Sequence, residues 1–287
     1  MLQIIFDAPL EQAAQLSDTL SEAGALAVTL QDAATEALYE PPLGTTPLWT
    51  DTQVVALFET RSDLDSALAE LTGIWGEITH RIEVVDDKDW VRENLDSFHP
   101  LRFGSRLWVC PSWRVPPDPD AVNLMLDPGL AFGTGTHPTT ALCLEWLADT
   151  DLHGWDVVDY GCGSGILAVA AAKLGARHVW AIDHDPQALQ ATRVNAEKNK
   201  VSERIGISSP DTELALHAHL LLANILARPL MELASYFSTI VKPAGHIVLS
   251  GILAEQAEDV SQAYRPWFEL SPAAQRDGWV RLDGKRK

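Results

Sequence analysis

The chain has 287 residues, 46% hydrophobic and 21% charged, a globular composition that excludes a disordered chain. Its 40 acidic and 21 basic residues give a net charge of −19, which argues against binding a phosphate backbone. No apolar run approaches the ~20 residues that span a bilayer. Met1–Asp7 have the pattern of a chain without a signal peptide, and the three scattered cysteines (Cys110, Cys143, Cys162) suit a reducing cytoplasm better than a disulfide framework or a metal site.

In chain order, residues 2–7 read as a strand and residues 10–23 as a helix closed by Gly24. Strands follow at 25–30 and 54–58, separated by a Pro/Gly loop at 40–50. A second helix at 63–72 opens with acidic residues, and a fourth strand covers 82–85. The order β-α-β-β-α-β is that of a small ferredoxin-like α+β module. Residues 1–70 hold twelve acidic residues and one basic one (Arg61). Such a surface aids solubility and also fits docking of a basic protein.

Residues 86–100 read as a polar linker helix. Residues 101–126 read as β-rich structure broken by Pro111, Pro116, Pro117 and Pro119. Beyond residue 150, strands at 156–160, 178–182, 204–208, 219–223, 245–250, 266–270 and 278–283 alternate with helical stretches. That rhythm predicts a mostly parallel seven-stranded α/β sheet with helices on both faces. The expected domains are therefore 1–85, a linker at 86–100, and 101–287.

The first of these seven strands runs into Val157-Val158-Asp159-Tyr160-Gly161-Cys162-Gly163-Ser164-Gly165-Ile166 and then an alanine-rich helix. A glycine turn after an apolar strand is the layout of a nucleotide-type ligand site. A dinucleotide fingerprint requires Gly-x-Gly-x-x-Gly, and here the glycines alternate instead. The next strand ends in Asp183, 22 residues after Gly161, where a carboxylate can accept both hydroxyls of a ribose; a helix cap is the alternative for it. The fourth strand ends in Asn224, whose side-chain carbonyl can accept N–H bonds from a substrate amine; taken alone it also fits a turn or cap.

Residues 127–140, Asp-Pro-Gly-Leu-Ala-Phe-Gly-Thr-Gly-Thr-His-Pro-Thr-Thr, are too rich in Gly, Thr and Pro for a regular element. They predict a shaped loop over the ligand. Phe132 would exclude water, Gly133 would allow close approach, and Thr134 and Thr140 would offer hydroxyls. His137, beside a proline, reads as structural.

The strings DPGLAFGTGTHPTT, VVDYGCGSGILAVAAAKLGA, AIDHDPQALQAT, LLANILARPL and LSGIL, with DKDW at 87–90 and FHPLRFG at 98–104, strongly resemble the PrmA family of bacterial ribosomal protein L11 methyltransferases. The resemblance covers nearly the whole chain. It implies a class I (Rossmann-like) S-adenosylmethionine-dependent methyltransferase domain joined by a flexible linker to an N-terminal substrate-recognition domain. It also implies methyl transfer to the N-terminal α-amine and lysine ε-amines of ribosomal protein L11. Cofactor contacts are implied at Thr140, Gly161, Asp183 and Asn224, with Gly163 in the same turn. The methyl donor would be S-adenosylmethionine with no metal, and the enzyme a cytoplasmic monomer with no membrane or direct nucleic-acid contact. His219 stands where the family commonly carries Asp, and the region 203–218 is short. Three rivals stand beside this reading: a nucleobase methyltransferase, which would favour Asn-Pro-Pro-aromatic over the present Asn-Ile-Leu-Ala; a nicotinamide dehydrogenase; and a non-catalytic cofactor-fold protein.

Overall fold

The computed structural model describes residues 1–34, 49–85, 98–127, 133, 135–212 and 217–287. The chain divides into two compact units, Met1–Asn94 and Leu95–Lys287. The expected linker helix lies outside the described residues except for 98–100, which carry no regular structure.

The first unit contains β1 (Leu2–Pro9), α1 (Leu10–Glu22), β2 (Ala27–Asp32), β3 (Asp51–Phe58), α2 (Arg61–Trp75) and β4 (His80–Val84). The strands pair antiparallel in the order β2-β3-β1-β4. Alternate residues Ile4, Phe6 and Ala8 of β1 and Val54, Ala56 and Phe58 of β3 point to one face. They are buried there with Ala13, Leu16 and Leu20 of α1 and Leu64, Ala67 and Leu71 of α2. β3 starts three residues before the apolar run that announces it. Asp51, Thr52 and Gln53 pair with Pro9, Ala8 and Asp7, so the ladder extends past the hydrophobic pattern. Thr60 begins α2 by accepting the Asp63 amide at 3.2 Å.

The second unit opens with three short strands, β5 (Leu101–Phe103), β6 (Leu107–Cys110) and β7 (Val122–Met125), in a sheet of their own. The larger sheet follows: α3 (Pro138–Asp149), β8 (Asp156–Tyr160), α4 (Ile166–Lys173), β9 (His178–Ile182), α5 (Pro186–Lys198), β10 (Ile205–Ser208), β11 (Ala218–Asn224), α6 (Ala227–Ile240), β12 (Val241–Leu253), α7 (Ala257–Tyr264), β13 (Phe268–Leu270), β14 (Ala274–Arg276) and β15 (Trp279–Arg286). Its path is β10-β9-β8-β11-β12-β15-β13. The first five strands are parallel, and β15 and β13 close the edge antiparallel. Seven strands form the path, as the alternation predicts. An eighth, β14, hangs on β15 and carries too few residues to show a period.

Successive residues of the central strands serve opposite faces. Val157, Leu220 and Leu222 pack under α3 and α4, whereas Val158, Leu221 and Ala223 pack under α6. Burial on both faces is why these strands read as continuous apolar runs. Strand order reverses between β8 and β11, which opens a crevice at their carboxyl ends.

Candidate active site

β8 delivers the glycine turn to this crevice. The amides of Gly161 and Cys162 both donate to the carbonyl of Ile182, at 2.7 and 3.1 Å, and bind the turn to the tip of β9. The Gly163 amide donates to Asp183 Oδ2 at 2.9 Å, and the Asp185 amide to Asp183 Oδ1 at 3.0 Å. Asp183 is 8% exposed, and each carboxylate oxygen retains acceptor capacity. The cap of α5 is Asp185, which accepts the Gln187 amide at 2.8 Å ahead of Pro186. The capping alternative for Asp183 therefore falls to its neighbour.

Asp159 lies fully buried beneath the turn. Its Oδ2 accepts the Ala168 amide at 2.9 Å, inside the first turn of α4. Its Oδ1 has no hydrogen-bond partner among the described residues. Burial pushes its carboxyl up to about 7, opposed by the Ala168 bond and assisted by the Asp183 charge. Donors that a dinucleotide's phosphates would need are thus already engaged by a carbonyl and two carboxylates.

On the other side of the crevice, Asn224 ends β11. Its Nδ2 donates to Thr140 Oγ1 at 3.3 Å, and Thr140 is fully buried on α3. Asn224 Oδ1 is buried with no partner among the described residues. Two glycines make space for the turn that follows. A Cβ on Gly161 would lie 2.2 Å from Ile225 Cγ2, and one on Gly251, in the register shift of β12, would lie 2.2 Å from the Ile225 carbonyl oxygen. Both have positive φ, 77° and 85°, so both the backbone conformation and the close approach demand glycine. At the tip of β10, Ser208 Oγ is a third buried polar atom without a described partner.

The structure brings Gly161, Gly163 and Asp183 together around one turn and bonds Asn224 to Thr140. Gly133 joins them, its carbonyl accepting from Ser164 Oγ at 2.6 Å. Phe132 and Thr134 lie outside the described residues. His137 caps α3, with its ring 5.0 Å from that of Trp279 in an edge contact, a structural placement. His219 sits at the opposite end of β11, where Nδ1 accepts the Asp156 amide at 2.9 Å, so it serves the sheet and not the crevice. Sequence reasoning passed over Ser208 and Gly251. Serine at a strand end carries no distinctive signal, whereas Gly251 sits in the quoted string LSGIL.

A ligand seated in this crevice meets few free amide donors and the Asp183 carboxylate. That environment disfavours phosphate and suits a cationic sulfonium beside a ribose. With a parallel sheet reversed at β8/β11 and closed by antiparallel strands, the molecule is a class I, S-adenosylmethionine-dependent methyltransferase. All of residues 1–287 match the family "Ribosomal protein L11 methyltransferase (PrmA)", and the chain belongs to that family. It is 52% identical over 290 residues to the ribosomal protein L11 methyltransferase of Shewanella sp. (strain W3-18-1), covering 100% of this chain and 99% of the relative. The corresponding protein of Shewanella amazonensis is 51% identical over the same length. Among solved structures, the ribosomal protein L11 methylase of Lactobacillus delbrueckii subsp. bulgaricus superposes with a TM-score of 0.61 at 31% identity, covering 66% of this chain and 100% of that one.

Proposed function

We propose that this chain transfers methyl groups from S-adenosylmethionine to amino groups of ribosomal protein L11, at the N-terminal α-amine and at lysine side chains. The observation that carries the reading is the buried Asn224 Oδ1 at the tip of β11, beside the glycine turn and with no partner among the described residues. Leaving such an acceptor unpaired costs about 1–3 kcal/mol, and an incoming amine N–H would recover it. Its Nδ2 is held by Thr140, so the amide cannot rotate freely and its carbonyl oxygen stays presented.

The methyl donor supplies an already activated carbon, so no metal or covalent enzyme intermediate is needed. A lysine amine begins protonated near pKa ~10.4, and desolvation in the crevice lowers that value toward the neutral nucleophile. Asn224 accepts one N–H and aims the lone pair at the methyl carbon. The nitrogen–carbon bond forms as the sulfur–carbon bond breaks, the electron pair stays on the thioether product, and the amine proton passes to water. Positioning supplies the rate. Asp183, Gly161, Gly163, Gly133 and Thr140 would hold the donor, joined by Phe132 and Thr134 of the same loop.

In this reading the domains are 1–85 for substrate recognition, 86–100 as linker and 101–287 for catalysis. The acidic first domain draws in a basic ribosomal protein from the cytoplasm, and one chain suffices. The acidic surface and the Asn-Ile-Leu-Ala sequence disfavour a nucleobase substrate. The deciding experiment is radiolabelled methyl transfer from S-adenosylmethionine to purified L11 and to ribosomal RNA in parallel. Label on L11 amines is expected; label on RNA alone defeats the proposal. Asn224→Ala should lower kcat about a hundredfold with cofactor affinity changed severalfold at most. Turnover equal to the wild type would remove the orienting role.

A further inference from the structure

α5 begins at the Asp185 cap beside Asp183 and runs away from the crevice along the sheet. One of its faces is buried yet polar. Thr192, Asn195 and Asn199 follow at i, i+3 and i+7, on a single helix side, and are 0%, 8% and 5% exposed. Buried polar side chains are retained only with partners, and outside α5 itself the partners here lie on the glycine turn and on β7.

Thr192 Oγ1 donates to the Gly163 carbonyl at 3.0 Å and lies 3.4 Å from Cys162 Sγ. Asn195 Nδ2 donates to the Ser164 carbonyl at 2.8 Å. Ser164 Oγ in turn reaches the Gly133 carbonyl at 2.6 Å. One turn further along, Asn199 treats β7 as a neighbouring strand would. Its Oδ1 accepts the Met125 amide and its Nδ2 donates to the Met125 carbonyl, both at 2.7 Å. Next to it, Lys198 pairs with Asp127 at 2.5 Å. The two oxygens of Asp127 also accept the amide and hydroxyl of Ser112, at 2.7 and 2.8 Å. Two parts of the chain far apart in sequence, the glycine turn on one side and Met125, Asp127 and Gly133 on the other, are thereby fastened to one rigid rod.

We propose that the polar stripe Thr192–Asn195–Asn199, with Ser164 as its relay to Gly133, is a positioning device that sets the glycine turn and the start of the Gly/Thr loop at the separation the methyl donor requires. None of these side chains needs to touch the donor. They act through the carbonyls they hold, which fixes where the turn and the loop present their backbone. A helix is suited to this because residues three and four apart share a face, so one rigid element references both segments. The inference rests on the reading of this crevice as the methyl-donor site.

The test is calorimetric titration of S-adenosylhomocysteine into the full chain, with thermal melting of each variant measured without ligand. Thr192→Val keeps the volume and removes the hydroxyl; Thr192→Ser keeps the hydroxyl and removes a methyl. Thr192→Val should bind about fivefold more weakly, the worth of one hydrogen bond. Thr192→Ser should stay within about twofold of the wild type even though it gives up buried apolar contact. A merely structural residue would not be rescued by serine in binding while stability falls. Ser164→Ala, which removes only the relay hydroxyl, is the second variant should Thr192→Val fail to fold, and should weaken binding by about threefold. Wild-type affinity in both Thr192→Val and Ser164→Ala overturns the proposal, as does equal weakening by Val and Ser at position 192. Failure of the wild type to bind S-adenosylhomocysteine overturns instead the reading of the crevice on which the proposal rests.

Discussion

Asp156 and Asp159 stand three residues apart in β8, toward the amino and carboxyl ends of the parallel strands, and the sheet treats them in opposite ways. At the strand's start, Asp156 receives two bonds from Arg177, a third from Lys242 at 3.3 Å, and shares its surroundings with His219. Burial works to raise its carboxyl, but the hydrogen bonds and charges of Arg177 and Lys242 hold it below the usual carboxylate range. At the strand's end, Asp159 has one backbone donor, an unpartnered oxygen and a carboxyl raised to about 7 by burial. The contrast extends along both edges. Among the described residues, the carboxyl edge carries unpartnered polar atoms on Asp159, Ser208 and Asn224, while the polar groups around Asp156 saturate one another. A buried polar group kept unpaired is costly, so in the proposed reading Asn224 at the switch-point crevice is where a ligand completes the structure.

The largest effect that would sharpen this contrast comes from closing the carboxyl edge. Gly251→Ala drives a Cβ into the Ile225 backbone and displaces Asn224 next to it. Methyl-transfer rates are expected to drop by about two orders of magnitude, the cost of a misplaced reacting geometry. A Gly251→Ala enzyme with wild-type kinetics would show that the Asn224 turn is free to adjust.

A second prediction concerns Asp159. Its folded carboxyl titrates above its unfolded value, so its contribution to stability is complete in acid and lost as the pH rises through about 7. Asp159→Asn mimics the protonated acid at every pH. The variant should match the wild type near pH 4 and exceed it by on the order of 4 kcal/mol at pH 8, measured by urea unfolding without ligand. Parallel pH profiles for the two proteins would place the Asp159 carboxyl at its ordinary value and remove the contrast.

Asp156 should give the smallest change, with the opposite sign. Its folded carboxyl lies below the unfolded value, so its contribution is present at neutral pH and lost as the pH falls through the folded value. Arg177 is 65% exposed along its side chain, so removing its partner leaves a cation in water and not a buried one. Asp156→Asn should cost about 1 kcal/mol at pH 7, seen as a melting point lower by a few degrees, with methyl transfer unchanged. Loss of activity at unchanged stability would tie this edge to catalysis.

Much of this molecule is legible along the chain for specific reasons. Strands buried on both faces are written as apolar runs, so β8, β9 and β11 are located almost to the residue, whereas β14, three residues on the sheet's margin, leaves no pattern. Local backbone requirements are equally visible. The alternating glycines separate this turn from a dinucleotide site, and Pro186 after Asp185 announces α5. Boundaries move where pairing outlasts hydrophobicity, as in β3.

The sequence by itself determined the class of the second unit, the family of the chain, and the identity of Gly161, Asp183 and Asn224 as residues at strand tips. The class and the strand tips follow from local spacing, because periodicity and turn chemistry are properties of neighbours in the chain, whereas the family follows from the resemblance of whole motif strings. Long-range packing alone fixes that Asn224 Oδ1 has no partner among the described residues while Nδ2 is tied to Thr140, that Asp159 is destabilised and Asp156 stabilised in one strand, and that Thr192, Asn195 and Asn199 hold two remote segments to one helix. Whether a polar atom is satisfied depends on groups brought to it from tens of residues away, and on the water that packing removes. Neither is encoded at the position of the residue itself.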